Sequence, residues 1–157
     1  MAVTAEDEGL HGAEYLRHRI FAEFPLARHI GIEVESAGDE GVVLCAPFEP
    51  NANFKGTAFG GSQFCVAVLT GWAWAARYLA TNRFEADAVI QESTIRYLAP
   101  VRGQLRAVLG PPAIERVDRF RRMLRRAGRG RIRLRVDIHD GPSLATRFEG
   151  VFAAIIR

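Results

Sequence analysis

The chain has 157 residues, of which 48% are hydrophobic and 25% are charged. This length predicts one domain with its own core, and the composition argues against a disordered chain and against a disulfide-dense secreted scaffold. The formal charge of +3 is unevenly distributed, because residues 115–135 hold ten arginines against Glu115 and Asp118, a local charge of +8 that leaves −5 elsewhere.

The amino terminus and the cysteines bear on the compartment. The first residues, MAVTAEDEGL, lack the basic and apolar regions of a signal peptide. The longest near-apolar stretch, residues 64–76, is shorter than a membrane crossing requires. Cys45 and Cys65 show neither CxxC spacing nor a neighbouring histidine, as expected of reduced thiols in a core. We therefore expect a cytoplasmic protein without a membrane partner.

The first third of the chain predicts a helix and a hairpin. Residues 9–24 place Leu10, Leu16 and Ile20 near one helical face and are followed by Pro25, which indicates an amphipathic helix. Residues 30–46 alternate apolar and polar side chains, turn at a Gly/Asp cluster and continue with a short apolar run. This pattern is typical of two strands in a β-hairpin.

A glycine-rich loop then leads into a long apolar segment. The loop NANFKGTAFGGSQ, residues 51–63, contains the only lysine of the chain and three glycines. Residues 61–81 follow it and are apolar on nearly every side, with Trp72 and Trp74 among small residues. A helix that is hydrophobic all round is normally buried.

The second half predicts four strands and a basic helix. Residues 86–110 read as two strands that turn at PVRG, which indicates a second hairpin. Residues 113–127 carry an apolar stripe that includes Ile114, Val117 and Leu124, and their other face is almost entirely arginine. Residues 131–156 alternate, turn at DGPS and return as a final hairpin.

The predicted order is a helix, two strands, a buried helix, two strands, a basic helix and two strands. It describes an α+β protein in which an antiparallel sheet wraps around one long apolar helix. We expect residues 1–157 to form a single domain, with residues 1–27 as a helical extension.

The segment NANFKGTAFGGS at the start of a buried helix, followed by STIRYLAPVRG on a strand, resembles the hotdog-fold thioesterases. In particular it resembles a bacterial thioesterase domain that occurs alone or fused to an acetyltransferase, and the likeness covers about residues 28–156. The resemblance implies a hotdog fold, hydrolysis of an acyl-CoA or acyl-carrier-protein thioester, and a homodimer or a dimer of dimers.

Two positions depart from the related phenylacetate-type branch. In that branch an asparagine lies seven residues before a His-Gly-Gly; here Asn53 lies seven residues before Gly60, but Phe59 takes the place of the histidine. The branch also carries a catalytic acid on the helix, where this chain has Val68. A non-catalytic domain that binds acyl-CoA or an acyl carrier is therefore an alternative to the thioesterase.

The glycines at the helix start suggest how a thioester could be polarised. Backbone N–H groups at a helix N-terminus favour developing negative charge, so we expect Gly61 to be the principal donor to the thioester oxygen. The alternative is that Gly60 and Gly61 only form a tight turn. Residues expected to contact the substrate are Thr57, Phe59, Gly60, Ser62, Gln63 and Tyr97. Phe64, Trp72 and Tyr97 are expected to set the depth of an acyl pocket.

Water would have to be positioned by polar side chains. Asn53 has no useful pKa, but its amide can orient a water or hold the loop. On the strand VIQESTIRY the period of two places Gln91 and Ser93 on the expected inner face and Glu92 on the other. Glu92 is either an exposed charge paired with Arg96 or a base covered by a dimer partner. We expect Asn53, Gln91 or Ser93 to position the water.

Other chemistries are disfavoured by what the core sequence lacks. The four histidines are His11, His18, His29 and His139, so residues 30–138 contain none. A histidine triad, a histidine metal site and a hydratase acid/base pair are thus not expected, and we predict no metal and no cofactor beyond coenzyme A as part of the substrate. We expect the arginine-rich helix to be a solvated or ion-paired face, a binding site for the phosphates of coenzyme A or for an acyl carrier protein or, least favoured, a nucleic-acid site.

Overall fold

The computed structural model describes residues 11–157, so the predicted helix start at residue 9 and Leu10 lie outside the described residues. The helices are α1 (Ala13–Glu23), α2 (Leu26–Ile30), α3 (Gly60–Thr81) and α4 (Ile114–Ala127). The strands are β1 (Glu33–Gly38), β2 (Gly41–Ala46), β3 (Ala86–Tyr97), β4 (Leu105–Leu109), β5 (Arg129–Asp140) and β6 (Ser143–Ile156).

The six strands form one sheet in the order β1-β2-β4-β5-β6-β3, and all neighbouring pairs are antiparallel. The side chains of β5 and β6 show why the sheet needs a cover, because buried residues, most of them apolar, alternate along much of both strands with exposed or half-buried ones. Helix α3 supplies that cover by packing against β2 to β6. The predicted α+β architecture, a sheet wrapped around one long apolar helix, is confirmed.

Helix α3 is buried because small residues let the sheet approach it closely. An added Cβ at Gly71 would lie 2.4 Å from the ring of Phe152, which is itself 1% exposed. The indole N–H of Trp72 donates to the Ala88 carbonyl at 3.1 Å and so joins the helix to β3. Among residues 11–157, no helix combines the length and the apolar character that crossing a membrane requires.

The segment between α1 and β1 differs from the prediction. Leu26–Ile30 forms the short helix α2, and β1 begins only at Glu33 instead of at residue 30. Ala27 and Ile30, three residues apart, are both buried on one helical face. Gly31 ends the helix in the left-handed conformation, with φ of 78°. The alternation of apolar residues around residue 30 thus did not mark the start of a strand, because only Ile30 and Ile32 follow it before β1 begins.

The second predicted hairpin is wrong, although both of its strands exist. Strand β3 pairs with β6 at the edge of the sheet, whereas β4 lies between β2 and β5. The connecting residues cross over instead of turning tightly: the N–H groups of Leu98 and Ala99 donate to Ala145, and the Val101 carbonyl accepts from Ala58. The proline and glycine of the connection correctly indicated where β3 ends. They could not indicate which strand lies beside β3, because that depends on contacts between residues distant in sequence.

Strand β3 carries a β-bulge at Gln91. Ile90 pairs with the buried Phe152, and the next paired residue, Glu92, lies opposite Val151. The extra residue is left out of the ladder, so Ile90 and Ser93 face the same side of the sheet although they are three residues apart. The bulge therefore corrects the predicted inner face, because Val89 is no longer on the side of Ser93.

Helix α4 ends where predicted but buries a narrower stripe. Phe120 and Leu124 are buried, whereas Ile114, expected on the stripe, is 70% exposed. Six of the ten arginines of residues 115–135 lie on α4, and the other four alternate along the exposed face of β5. The basic region is therefore two adjoining surfaces, one on a helix and one on a strand.

Candidate active site

Three backbone amides at the start of α3 lack an acceptor. The first backbone hydrogen bond of the helix runs from the Gln63 N–H to the Phe59 carbonyl at 3.1 Å. Phe59 makes no side-chain cap, so within the described part of the chain no protein group accepts from the N–H groups of Gly60, Gly61 and Ser62. The dipole of this 22-residue helix adds a partial positive charge, and the helix start can therefore stabilise an oxygen anion.

The loop before α3 is held closed by Asn53. Its side-chain N–H donates to Thr57 Oγ1 at 2.9 Å, and its side-chain oxygen accepts from the backbone N–H groups of Lys55 at 2.9 Å and Thr57 at 3.2 Å. Gly56 completes the turn in the left-handed region, with φ of 72°. Two roles were predicted for Asn53, orienting a water or holding the loop, and these hydrogen bonds correspond to the second.

Two buried amides fasten the loop and the helix start to the rest of the protein. Asn51 is 3% exposed, and its side chain donates at 2.8 Å to each of two backbone carbonyls of the preceding segment. Gln63 is 4% exposed; it donates to the Ala58 carbonyl at 3.1 Å and accepts from the Thr146 hydroxyl. Both ends of Gln63, which was predicted to contact substrate, are thus already hydrogen-bonded within the protein.

A cavity of about 370 Å³, the helix-start cavity, opens beside Gly60. The Tyr97 hydroxyl donates to the Gly60 carbonyl at 2.8 Å, and burial raises the pKa of Tyr97, which keeps it a donor at neutral pH. The cavity is lined by the predicted site residues Thr57, Gly60, Gln63 and Tyr97 together with residues 58 and 98–100. The fold therefore brings these four residues together.

Phe59 and Ser62 lie on either side of Gly61. The Phe59 side chain is 56% exposed, and its ring lies so close to Gly61 that an added Cβ there would meet it at 2.4 Å. Ser62 is half-buried in the first turn of α3. An aromatic ring thus lies beside Gly61, the residue predicted to be the main donor, where it can contact a bound thioester.

Gln91 and Ser93 do not lie at the helix start. Both are exposed, and Ser93 is four residues from Tyr97, about 13 Å along the strand. Neither lines the helix-start cavity. Glu92 faces the opposite side of the sheet, where its carboxylate lies 3.3 Å from the guanidinium of Arg133 and not, as expected, beside that of Arg96. The bulge and the length of β3 explain why sequence spacing alone grouped these residues with the helix start.

A second cavity, the apolar cavity, lies between α3 and β3 and also measures about 370 Å³. Val68, which occupies the position of the family acid, lines it together with Cys65 and Trp72. Phe24, whose ring contacts Trp72, and Leu26 line it as well. These two residues were not predicted for the site, because they come from the amino-terminal segment and no local pattern connects them with α3. Tyr97 lines the helix-start cavity instead, and the Phe64 ring packs edge-on against Phe148.

Among residues 11–157, no carboxylate or imidazole lines either cavity. Burial raises the pKa of the Cys65 thiol, so that it is protonated at neutral pH and a poor nucleophile. Among residues 11–157, no three His, Cys, Asp or Glu side chains come together in a group that could hold a metal ion. The chemistry that the two cavities offer is therefore hydrogen-bond donation to an oxygen beside an apolar binding surface.

The arginines form a third feature, away from these cavities. Arg116, Arg133 and Arg135 line a cavity of about 340 Å³ between the start of α4 and β5, and Glu149 lies at its edge. Arg116 donates to the Arg133 carbonyl at 3.0 Å, while Arg121 pairs with Asp118 on its own helix at 2.6 Å. Part of the basic region is thus engaged within the protein.

A six-stranded antiparallel sheet wrapped around a long apolar helix, with a glycine-lined helix start at its side, is the hotdog fold of thioesterases. Residues 13–156 match the family described as "Putative thioesterase (yiiD_Cterm)", and the chain belongs to this family. The match includes α1, which the resemblance drawn from residues 28–156 had left out.

Solved structures agree with this assignment. A protein of unknown function from Chlorobaculum tepidum is 28% identical, with a TM-score of 0.88 over 92% of this chain and 94% of that one. A "putative thioesterase" from Shewanella oneidensis is 25% identical, with a TM-score of 0.81 over 91% and 96%. A Haemophilus influenzae thioesterase, 18% identical with a TM-score of 0.70 over 92% and 90%, shares the fold. Family and fold together support thioester hydrolysis as the general class of activity.

Proposed function

We propose that the protein hydrolyses an acyl thioester of coenzyme A or of an acyl carrier protein, and that the thioester oxygen is bound at the start of α3. The observation that carries the proposal is the set of open N–H groups at Gly60, Gly61 and Ser62, next to an apolar cavity on the same helix. A single donor of this kind typically contributes about 10²- to 10³-fold to the rate.

In the proposed reaction the oxygen of a water molecule attacks the thioester carbon. Negative charge passes to the carbonyl oxygen, where the Gly61 N–H and the helix dipole stabilise it. The carbon–sulfur bond then breaks, the thiol leaves with a proton, and the acid remains. Because Asn53 is hydrogen-bonded within its loop, and Gln91 and Ser93 lie away from the helix start of their own copy, the water would be positioned by Gln91 or Ser93 of a second copy.

We propose further that a second copy of the chain completes this site. Strand β3 lies at the edge of the sheet, is 12 residues long and exposes Val89, 54% accessible, beside Ile90, 37% accessible. A long edge strand with apolar side chains readily pairs with another strand. Such pairing would enclose Gln91 and Ser93, which a single copy leaves in solvent. An acidic carrier protein at the arginines of α4 and β5 would be a further partner.

The absence of an acid or histidine from the lining of both cavities favours a second candidate, a domain that binds acyl thioesters without hydrolysing them. A panel of acyl-CoA and acyl-carrier thioesters, assayed for thiol release, separates the two. Release above the buffer rate is expected for the hydrolase. Thioester binding without release would support the binding domain instead.

The Gly61→Val substitution tests the donor. The new side chain displaces the exposed Phe59 ring and shields the amide, so we expect kcat to fall by about 10²-fold or more while the fold persists. Gly103→Val is the matched control, because nothing lies within 4 Å of an added Cβ at Gly103. An unchanged kcat in the Gly61 variant would contradict the assignment.

A further inference from the structure

We propose that the apolar cavity binds the acyl chain of the thioester and that Phe24 and Trp72 close its far end, which limits the substrates to unsubstituted acyl groups of medium length. The inference rests on the proposed function. It assigns a specificity role to Phe24, a residue of the segment that joins α1 to α2 and lies far in sequence from the helix start.

The lining of the apolar cavity fixes the chemistry of its occupant. Apart from the Cys65 thiol, every described side chain that lines it is a hydrocarbon, indole or phenyl group, and these side chains come from α2, α3, β3, β6 and the segment that joins α1 to α2. The Trp72 indole N–H is already bound to the Ala88 carbonyl. A hydroxyl or carboxylate placed here would lose its hydration without gaining a partner, so the cavity selects against polar acyl groups.

Gly61 and the apolar cavity lie along one face of α3. Gly61, Cys65, Val68 and Trp72 are spaced by four, three and four residues, which places them in a line along the helix. The open amide of Gly61 begins this line, and the last three residues line the cavity. A thioester with its oxygen at Gly61 would therefore direct its acyl chain along the helix into the cavity.

The end of the cavity is a fixed aromatic wall. The rings of Phe24 and Trp72 meet edge to face, with centroids 4.7 Å apart and an interplanar angle of 82°. The guanidinium of Arg19, a residue of α1, lies 5.3 Å from the centroid of the Trp72 ring. The Phe24 N–H donates to the Ile20 carbonyl at 2.8 Å, which ties the phenyl group to the end of α1. The wall is therefore held by the backbone as well as by its own contact.

The position of this wall sets a chain length. Eleven residues separate Gly61 from Trp72, about 16 Å along the helix axis. A zigzag hydrocarbon chain advances about 1.3 Å per carbon and must end about 3.5 Å short of the wall, so this distance accommodates roughly ten carbons. Longer chains would have to bend, because the pairing proposed for β3 would cover the side of the cavity at Val89 and Ile90.

The test measures binding, so that it does not depend on turnover. S-alkyl thioethers of coenzyme A with 4 to 16 carbons, which cannot be hydrolysed, are titrated into the full chain by calorimetry. For the unaltered protein we expect affinity to rise with chain length to about ten carbons and then to fall. A terminal carboxylate on the chain should weaken binding by about tenfold or more.

Two substitutions should move this optimum in opposite directions. Phe24→Ala opens the wall and should lengthen the preferred chain by about two to four carbons, whereas Val68→Phe fills the middle and should shorten it by a similar amount. Phe84→Ala is the control: Phe84 is also half-buried but lines a different cavity, so the optimum should stay unchanged. Thermal melts confirm that each variant is folded.

An optimum that stays the same in both folded variants overturns the inference, and so does a failure of every thioether to bind the unaltered protein. Neither result decides the proposed hydrolysis, which the thiol-release assay judges separately. Conversely, a shifted optimum in a protein that releases no thiol would support the acyl site and count against the hydrolase.

Discussion

At the start of α3, polar side chains serve mainly to hold backbone in place. Asn51 and Gln63 are buried and hydrogen-bonded to main-chain carbonyls, and Asn53 closes its own loop. What remains open at the site is backbone: the N–H groups of Gly60 and Gly61. The polar residues around the helix start thus define the position of donors that they do not themselves supply.

On the outer face of the sheet, the side chains around Glu35 keep its carboxyl group ionised. Bidentate hydrogen bonds from Arg106, and then one from the Cys45 thiol, lower the pKa of Glu35 from 4.5 to about 2. Because the folded pKa is the lower one, the stabilisation is present above pH 4.5 and is lost as the pH falls toward 2.

We predict that Arg106→Gln flattens the acid dependence of stability. Solvent screening limits this exposed pair to about 1 kcal/mol or less, so the free energy of unfolding should drop by that amount at pH 7. Urea unfolding from pH 7 to pH 2 measures it, with Arg96→Gln as an exposed control. Equal losses between pH 4.5 and 2 in the variant and the unaltered protein would contradict the assignment.

At the scale of elements, the packing of α3 on β6 depends on Gly71. We predict that Gly71→Ala destabilises the protein by about 1–3 kcal/mol although alanine is the better helix former, because the new methyl group would collide with the buried Phe152 ring. Chemical denaturation measures the loss. Gly38→Ala, which meets nothing within 4 Å, should change stability far less. A variant as stable as the unaltered protein would contradict the prediction, because the Phe152 ring would then have moved aside without a cost in stability.

The helices and strands that were predicted correctly are those whose own residues carry a clear pattern. Helix α3 is apolar all round, and β5 and β6 alternate over 12 and 14 residues with a tight turn between them. The placement of β3 beside β6 rests on contacts between residues 49 to 70 positions apart, and the five-residue α2 is too short for periodicity to reveal. The sequence motif was enough to predict the glycines at the helix start. The proposed aromatic wall at Phe24 could not be predicted, because it depends on tertiary packing.

At the scale of the whole molecule, the two edges of the sheet differ. Strand β1 has six residues, while β3 has twelve and exposes apolar side chains. We predict that Val89→Asp converts the proposed dimer to a monomer, because it places a charge on that edge. Sedimentation velocity measures the change. Ile114→Asp, at an exposed apolar position on α4, is the control and should leave the dimer intact. A monomeric parent protein would refute the interface.

The bulge at Gln91 has a consequence for how such a protein can change over evolutionary time. Deleting one residue from a strand normally turns every side chain beyond the deletion to the other face. Here the unpaired residue Gln91 separates residues 88–90, which line the apolar cavity, from Tyr97, which lines the helix-start cavity. A deletion at Gln91 would remove only the residue that is left out of the ladder, so the pairing on both sides and the faces of the strand would stay as they are. Descendants of this chain could therefore lose the bulge without exchanging the faces of β3 that the two cavities use.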